Sequence, residues 1–147
     1  MRVGSGFDVH AFADDRPLVI GGVAIPHPRG LAGHSDADVL CHAIADAILG
    51  AANLGDIGTM FPADPRWEDA SSLVLLATAA EVARDAGWKV GNVDATIIAE
   101  EPRVAPFTAE MVANVARAVR AGPEAISVKA TTTDGLGFTG RREGMAA

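Results

Sequence analysis

Apolar runs of strand character alternate with helical stretches along the whole chain, in the order strand, hairpin, helix, loop, helix, strand, helix, strand, with no internal repeat. Such alternation calls for helices layered on a sheet, because each element has an apolar side to bury against another. Residues 2–9 and 18–25 read as the first two strands, and Gly21-Gly22 marks a bulge or a tight turn that splits the second into a hairpin. From Ser35 or Asp36, either able to cap a helix, the pattern is helical to about Ala52. Leu40, Ile44, Ala47, Ile48 and Ala51 form its apolar face, and Asp38, His42 and Asp46 recur every four residues as a polar stripe.

Gly55, Gly58, Pro62 and Pro65 punctuate a loop over 53–66. A second helix runs from about Glu68 to Ala86 and stops at Gly87, followed by a strand from Val93 to Ala99. A third helix starts near Pro106 or Thr108 and ends at Gly122. A strand covers 125–131, and Phe138-Thr139-Gly140-Arg141 turns toward a last strand that the chain barely begins. The expectation is one α+β domain over 1–147, with three helices on one face of a mixed sheet of roughly four strands and the C-terminal strand incomplete. Val, Ile and Ala pointing both ways leave the other sheet face to a partner subunit, so the chain should oligomerise.

Composition excludes several classes. With 147 residues, 49% of them apolar, the chain can bury one core. No apolar run is long enough to cross a bilayer and no signal pattern follows Met1, so the default location is cytoplasmic. Cys41 is the only cysteine, which rules out an internal disulfide and a cysteine-rich zinc site. A net charge of −7, with no dense run among the 12 Lys and Arg residues, argues against nucleic acid or an anionic membrane as partner. A small phosphorylated ligand is compatible with that charge if cations and backbone N–H groups neutralise it locally.

The chemistry concentrates at Asp8 and His10, two residues apart on a strand and so on one face of it. An Asp-x-His pair alone carries little weight. His42 supplies a third ligand, and Asp8, His10 and His42 match the three His and carboxylate ligands of a catalytic zinc with an open fourth position. The blander account of the Asp38, His42, Asp46 stripe is a solvated helix face. His34 and Ser35 tip the balance, because they sit where a first helical turn leaves N–H groups free for an anion beside the metal. Gly55-Asp56-Ile57-Gly58, Glu101-Pro102-Arg103 and Thr131-Thr132-Thr133-Asp134-Gly135 have the turn formers and polar groups of ligand loops.

Taken together, Gly6-Phe7-Asp8-Val9-His10, Gly33-His34-Ser35-Asp36-Ala37-Asp38, Gly55-Asp56-Ile57-Gly58, Ala130-Thr131-Thr132-Thr133-Asp134 and Gly137-Phe138-Thr139-Gly140-Arg141 resemble the 2-C-methyl-D-erythritol 2,4-cyclodiphosphate synthase family over essentially the whole chain. The resemblance implies an enzyme of the non-mevalonate isoprenoid pathway that converts 4-diphosphocytidyl-2-C-methyl-D-erythritol 2-phosphate to the 2,4-cyclodiphosphate and CMP. It implies a homotrimer with sheets around a central axis, helices outside and active sites between subunits. By position, Asp8, His10 and His42 match the zinc ligands. Asp134 matches a ligand to a second divalent ion, Mg²⁺ or Mn²⁺, where Glu is frequent.

The substrate site implied by the resemblance contains Asp8, Val9 and His10; His34 and Ser35; Asp56, Ile57 and Gly58 for the erythritol hydroxyls; and Phe61, Pro62, Ala63, Asp64 and Pro65 as their continuation. Ala99, Glu100, Glu101, Pro102, Arg103, Val104 and Ala105 match the cytidine pocket. Thr131, Thr132 and Thr133 match the run that binds the cytidylyl phosphate from an adjoining subunit. Phe138 and Arg141 belong to the same implied site. Phe7 and Arg141 also match residues near a central cavity that holds an isoprenoid diphosphate in some relatives. His34 and Thr132 are the residues expected to meet transition-state charge, and Asp38 and Asp46 are expected to orient an imidazole or the substrate. Other readings of the same residues are a zinc-dependent phosphohydrolase and a noncatalytic binder of nucleotide or isoprenoid diphosphate.

Overall fold

The computed structural model describes residues 1–147. Its first strand, β1 (Val9–Ala13), begins where the sequence reading of 2–9 ended. Residues 2–7 lie against the first long helix instead of in a ladder. A Cβ on Gly4 would stand 1.9 Å from the Ala47 carbonyl oxygen, and one on Gly6 would stand 1.9 Å from that of Ala43. Only glycine permits that approach.

β2 (Leu18–Ile20) and β3 (Val23–Ile25) form the expected hairpin, with Gly21 and Gly22 at φ of 58° and 69°. Successive positive φ values define a tight turn of the kind that suits strand twist. The short β4 (Gly30–Leu31) pairs antiparallel with β1.

The helix α1 (Val39–Ala52) starts later than Ser35 or Asp36. Its cap is Asp38, whose buried carboxylate accepts the Cys41 N–H and also those of Gly21 and Gly22, tying helix to hairpin. Burial pushes that carboxyl up, against the three N–H groups that favour its charged form. The apolar face is wider than the sequence indicated. Val39, Cys41, Ala43, Ala45 and Leu49 are buried with Leu40 and Ile44, while Ala47, Ile48 and Ala51 are only half-buried. The helix is wedged between sheet and neighbouring helix, so one stripe does not describe it.

The segment read as loop contains a one-turn helix, α2 (Ile57–Met60), capped by Asp56, and a 3₁₀ turn at Pro65–Trp67. α3 (Ser72–Asp85) then begins four residues after Glu68. β5 (Val93–Ile98), α4 (Thr108–Val119) and β6 (Ile126–Thr131) form a parallel crossover unit. A one-turn helix α5 (Gly137–Gly140) leads into β7 (Gly144–Ala146).

The main sheet has five strands, not about four, in the order β4-β1-β7-β5-β6. The difference lies in β4 and β7, of two and three residues, too short to show a period in sequence. β7 sits inside the sheet, antiparallel to both β1 and β5. Helix α3 packs on both α1 and α4, with α1 against β5 and β7 and α4 against β6. Leu40, Leu49, Leu76, Ile97, Met111, Val115 and Met145 lie at the centre of this layer.

The face of β5 and β6 away from Ile97 is less apolar than expected. Asp94 of β5 and Lys129 of β6 form an ion pair there. No helix is long and apolar enough to cross a membrane.

Candidate active site

Three ligand atoms converge where β1 meets α1. Asp8 Oδ2 lies 2.9 Å from His10 Nε2 and 3.0 Å from His42 Nδ1, and the two nitrogens are 3.0 Å apart. A tetrahedral zinc with bonds of about 2.0–2.1 Å separates its ligand atoms by roughly 3.3 Å, so the triangle is one slightly compressed face of that tetrahedron. The outward nitrogens agree with this use. His10 Nδ1 stands 2.6 Å from the Ala32 carbonyl oxygen, to which only an N–H can bond, and Nε2 is left with its lone pair toward the triad. His42 Nε2 contacts Ser72 Oγ at 2.9 Å and Ser35 Oγ at 3.1 Å. The residues fit a divalent metal with nitrogen and oxygen preference.

Several local features assemble the triad. Asp8 precedes β1 but extends its ladder through two 3.1 Å backbone bonds with Ala147, so it keeps the two-residue phase with His10. The glycine-lined approach of residues 4–6 to α1 brings Asp8 to His42. Before an ion displaces the protons that His10 and His42 turn toward it, half-burial pushes the Asp8 carboxyl up, but hydrogen bonds and charge from the two imidazoles outweigh it and hold the group well below the usual carboxylate range. Burial lowers His10, and Asp8 overcomes it, leaving the imidazole above its ordinary value.

The triad opens onto a cavity of about 260 Å³ lined by Asp8, His10, His34, Ser35, His42, Ile57, Gly58, Phe61, Trp67 and Leu75. Seven of the expected site residues other than His42 are therefore brought together here. Trp67 and Leu75 were not foreseen. Phe61 meets Trp67 edge-on at 5.0 Å, and two aromatics at this spacing inside a segment rich in turn formers were the available signal.

His34 donates from Nε2 to the Asp64 carbonyl oxygen at 2.8 Å, which joins the two sides of the cavity mouth. Asp56 caps α2 through the Thr59 N–H, and that bond holds its carboxyl below the ordinary range. Asp64 is paired with Arg66, Pro65 opens the 3₁₀ turn, and Pro62 and Ala63 are exposed. Val9 points away from the triad, as strand alternation requires.

Two expectations about this region are corrected. His34 and Ser35 are not in the first turn of a helix, because α1 starts at Val39; they belong to the loop before it. This loop is clamped by Arg16, which donates to the carbonyl oxygens of Gly33 at 2.7 Å and Ser35 at 2.5 Å. Asp38 and Asp46 do not touch an imidazole, which removes the imidazole half of the role expected of them. Asp38 faces the β2–β3 hairpin, and Asp46 accepts the Ile57 N–H at 2.8 Å. Ser72, Ser35 and the Ala32 carbonyl are the groups on the imidazoles.

A second cluster forms where the parallel strands β5 and β6 end. Glu100 Oε1 accepts the N–H groups of Thr133 and Gly135, both at 3.1 Å, and Thr132 Oγ1 donates to Asp134 at 3.3 Å. Asp134 and Arg103 are exposed, while Val104 is buried. Glu101, joined to Pro102 by a cis peptide bond, receives Arg29 at 3.3 Å and lies 3.6 Å from Arg142. Arg141 pairs with Glu143, and Phe138 is exposed. None of Ala99 to Ala105, Thr131 to Asp134, Phe138 or Arg141 lines the cavity of the triad.

The model of the YgbB family matches residues 1–147. This chain belongs to that family. It is 58% identical over 148 residues to the 2-C-methyl-D-erythritol 2,4-cyclodiphosphate synthase of Moorella thermoacetica, covering 100% of this chain and 91% of that protein. Among solved structures it is similar to the bifunctional IspDF from Campylobacter jejuni, with a TM-score of 0.94 and 45% identity over 99% of this chain and 40% of that longer one. A CDP-bound 2C-methyl-D-erythritol-2,4-cyclodiphosphate synthase matches with a TM-score of 0.89 and 34% identity, covering 99% of this chain and 95% of that one. The YgbB family assignment thus rests on sequence and on fold, and the Asp8, His10 and His42 cluster supplies the place for a metal.

Proposed function

We propose that this chain is a cyclising phosphorus–oxygen lyase of the non-mevalonate isoprenoid pathway. It converts 4-diphosphocytidyl-2-C-methyl-D-erythritol 2-phosphate to 2-C-methyl-D-erythritol 2,4-cyclodiphosphate and CMP. The observation that carries the reading is a three-ligand metal triad open to a cavity with polar and aromatic walls, in a chain 58% identical to a synthase over its full length. An oxygen of the 2-phosphate attacks the β-phosphorus, the bond from that phosphorus to its bridging oxygen breaks, and CMP leaves with the electron pair. No protein nucleophile is needed, and Ser35 has no dedicated base to make it one.

The metal of Asp8, His10 and His42 is zinc on this reading, and a Mg²⁺ or Mn²⁺ ion belongs at Asp134; both supply positive charge for phosphate oxygens. The chain's own residues do the positioning. His34 has its Nε2–H committed to the Asp64 carbonyl oxygen, so Nδ1 is the ring atom left to face a phosphate. Ser35 presents its hydroxyl to the same cavity. Asp56 stays ionised and accepts from erythritol hydroxyls, with Ile57, Gly58 and the wall from Phe61 to Pro65 around them. Ala99 to Ala105 hold the cytidine, and Thr131 to Thr133 hold the cytidylyl phosphate, with Thr132 donating to charge that develops on departure.

Because the nucleotide cluster does not line the cavity of its own chain, the reading requires a neighbouring subunit to bring it there. We place the chain in a homotrimer with its sheets toward the axis and its active sites between subunits. Support comes from the side of the sheet that the helices leave uncovered and from exposed Phe7, Val9, Leu136 and Phe138. A cytoplasmic location is part of the same reading. Phosphorus NMR of the protein with its substrate and Mg²⁺, with and without Zn²⁺, tests the activity. CMP with a cyclic diphosphate supports the synthase; inorganic phosphate or a linear diphosphate overturns it in favour of hydrolysis, and unchanged substrate overturns catalysis.

A further inference from the structure

Beside the triad, from Asp36 through Ser72 to His42, runs a chain of hydrogen bonds whose direction can be worked out atom by atom. Ser72, the first residue of α3, is fully buried, so its hydroxyl has no water to bond. Its Oγ touches three groups: the Asp36 carboxylate, His42 Nε2 at 2.9 Å and Ser35 Oγ at 3.3 Å. Asp36 already accepts the Ser72 N–H at 3.0 Å through one carboxylate oxygen and the Asp38 N–H at 3.2 Å through the other. A carboxylate has no hydrogen to give, so the hydrogen between Asp36 and Ser72 is the serine's. With its single hydrogen committed, Ser72 meets His42 only as an acceptor, and His42 Nε2 must carry a proton. The neutral imidazole then has its lone pair on Nδ1, the atom 3.0 Å from Asp8 Oδ2 in the triad.

We propose that Ser72, oriented by Asp36, is a positioning residue that fixes the metal-binding tautomer of His42. The role rests on the metal reading of the triad and adds to it the group that decides which nitrogen faces the ion. Orientation of a ligating imidazole through its second nitrogen is a general requirement of such centres. His10 meets it with a backbone carbonyl, Ala32, which has no hydrogen to offer. His42 has only hydroxyls, which can donate or accept, and an undirected hydroxyl permits the wrong tautomer. Asp36 removes the choice. Ser35 benefits as well: its Oγ accepts the Ala37 N–H at 3.2 Å, and with Ser72 serving His42 its own hydrogen is available to a ligand in the cavity.

In Ser72→Ala the direction is lost. Ser35 is then free to donate to Nε2, which drives the imidazole proton to Nδ1, into the metal position. The test uses the full-length, zinc-loaded protein. Nitrogen-15 NMR of wild-type His42 in the same protein stripped of metal is expected to show a proton on Nε2, slow to exchange with solvent, because in the loaded protein the ion on Nδ1 fixes the tautomer by itself. Competition with a chelator is expected to show zinc affinity about 10- to 100-fold lower in Ser72→Ala, with a smaller loss in Asp36→Asn, which keeps an oxygen acceptor without the charge. Helix content by circular dichroism should not change, which separates this effect from a general loss of structure. If Ser72→Ala does not fold, the wild-type spectrum and Asp36→Asn still decide the matter. A His42 with no proton on Nε2, or zinc affinity within twofold of wild type in every variant that folds, overturns the positioning role while leaving the metal centre standing. Wild-type protein whose His42 binds no zinc overturns the centre itself, and the role with it.

Discussion

Asp46 Oδ1 accepts the backbone N–H of Ile57 at 2.8 Å, so the acid one turn after His42 holds the cavity wall and leaves the imidazole alone. The bond is charge-assisted and spans from the middle of α1 to the first residue of α2, which presents Ile57 and Gly58 to the cavity. Removing a carboxylate partner of this kind costs about 1.5–3 kcal/mol locally. Asp46→Ala should therefore raise KM about tenfold or more, since a wall that must be ordered by substrate weakens binding. Zinc affinity should stay at the wild-type level. Steady-state kinetics with a parallel chelator titration checks both; a loss of zinc with KM unchanged would return Asp46 to the imidazole.

Asp38 makes a different prediction from the same polar stripe. Its carboxylate is fully buried and accepts N–H groups from Gly21, Gly22 and Cys41, one from the helix it caps and two from the hairpin turn. Asp38→Ala leaves all three donors without a partner in the core, for an expected loss of about 3–5 kcal/mol. Urea unfolding should register this loss even in metal-free protein. A change below about 1 kcal/mol would mean that water or another acceptor reaches the turn.

The stripe of Asp38, His42 and Asp46 shows what sequence could and could not reveal. Helical spacing placed His42 and Asp46 correctly on α1, with Asp38 at its cap and not within it, and strand spacing placed Asp8 with His10, because those relations are local. Motif resemblance added the family and matched to its zinc ligands the Asp8, His10 and His42 that spacing and ligand chemistry had already joined. What the acids bond to depends on which distant backbone passes by, and neither Gly21 nor Ile57 is signalled by the helix that anchors it. Ser72 escaped notice for the same reason: it lies 30 residues from His42 and reads as an ordinary residue at the start of a helix. The displaced β1 has a related cause. Residues 2–7 have strand composition, but close packing on α1 took them out of the ladder, and only tertiary structure shows that glycine was there for the approach.

Metal removal should separate the centre from the core. Asp8, His10 and His42 are partly accessible, and none belongs to the main apolar cluster. Zinc should thus raise the melting temperature of the wild-type protein in a concentration-dependent way, as any ligand of the folded state does. His42→Ala should unfold cooperatively, near the metal-free wild-type temperature, with no response to zinc. Differential scanning calorimetry with a zinc series gives both numbers. An aggregated or unfolded His42→Ala protein would assign the metal a structural role instead.

Two glycines on or against α1 make opposite predictions. A Cβ on Gly6 would collide with the Ala43 carbonyl oxygen at 1.9 Å and lie 2.8 Å from the Ala47 nitrogen, both backbone atoms of a long helix that cannot yield. Gly6→Ala must lift the N-terminal segment away, and Asp8, two residues on, moves with it. The triad then loses its carboxylate, so zinc affinity and turnover should both fall by an order of magnitude or more while helix content stays. Gly50, exposed within α1, has nothing within 4 Å of the same added atom. Gly50→Ala should stabilise the protein by about 0.5–1 kcal/mol, the ordinary helix preference of alanine over glycine, with zinc binding untouched. Denaturant midpoints and chelator competition on the pair distinguish the effects. Wild-type zinc affinity in Gly6→Ala would mean that the segment carrying Asp8 is not positioned by its contact with α1.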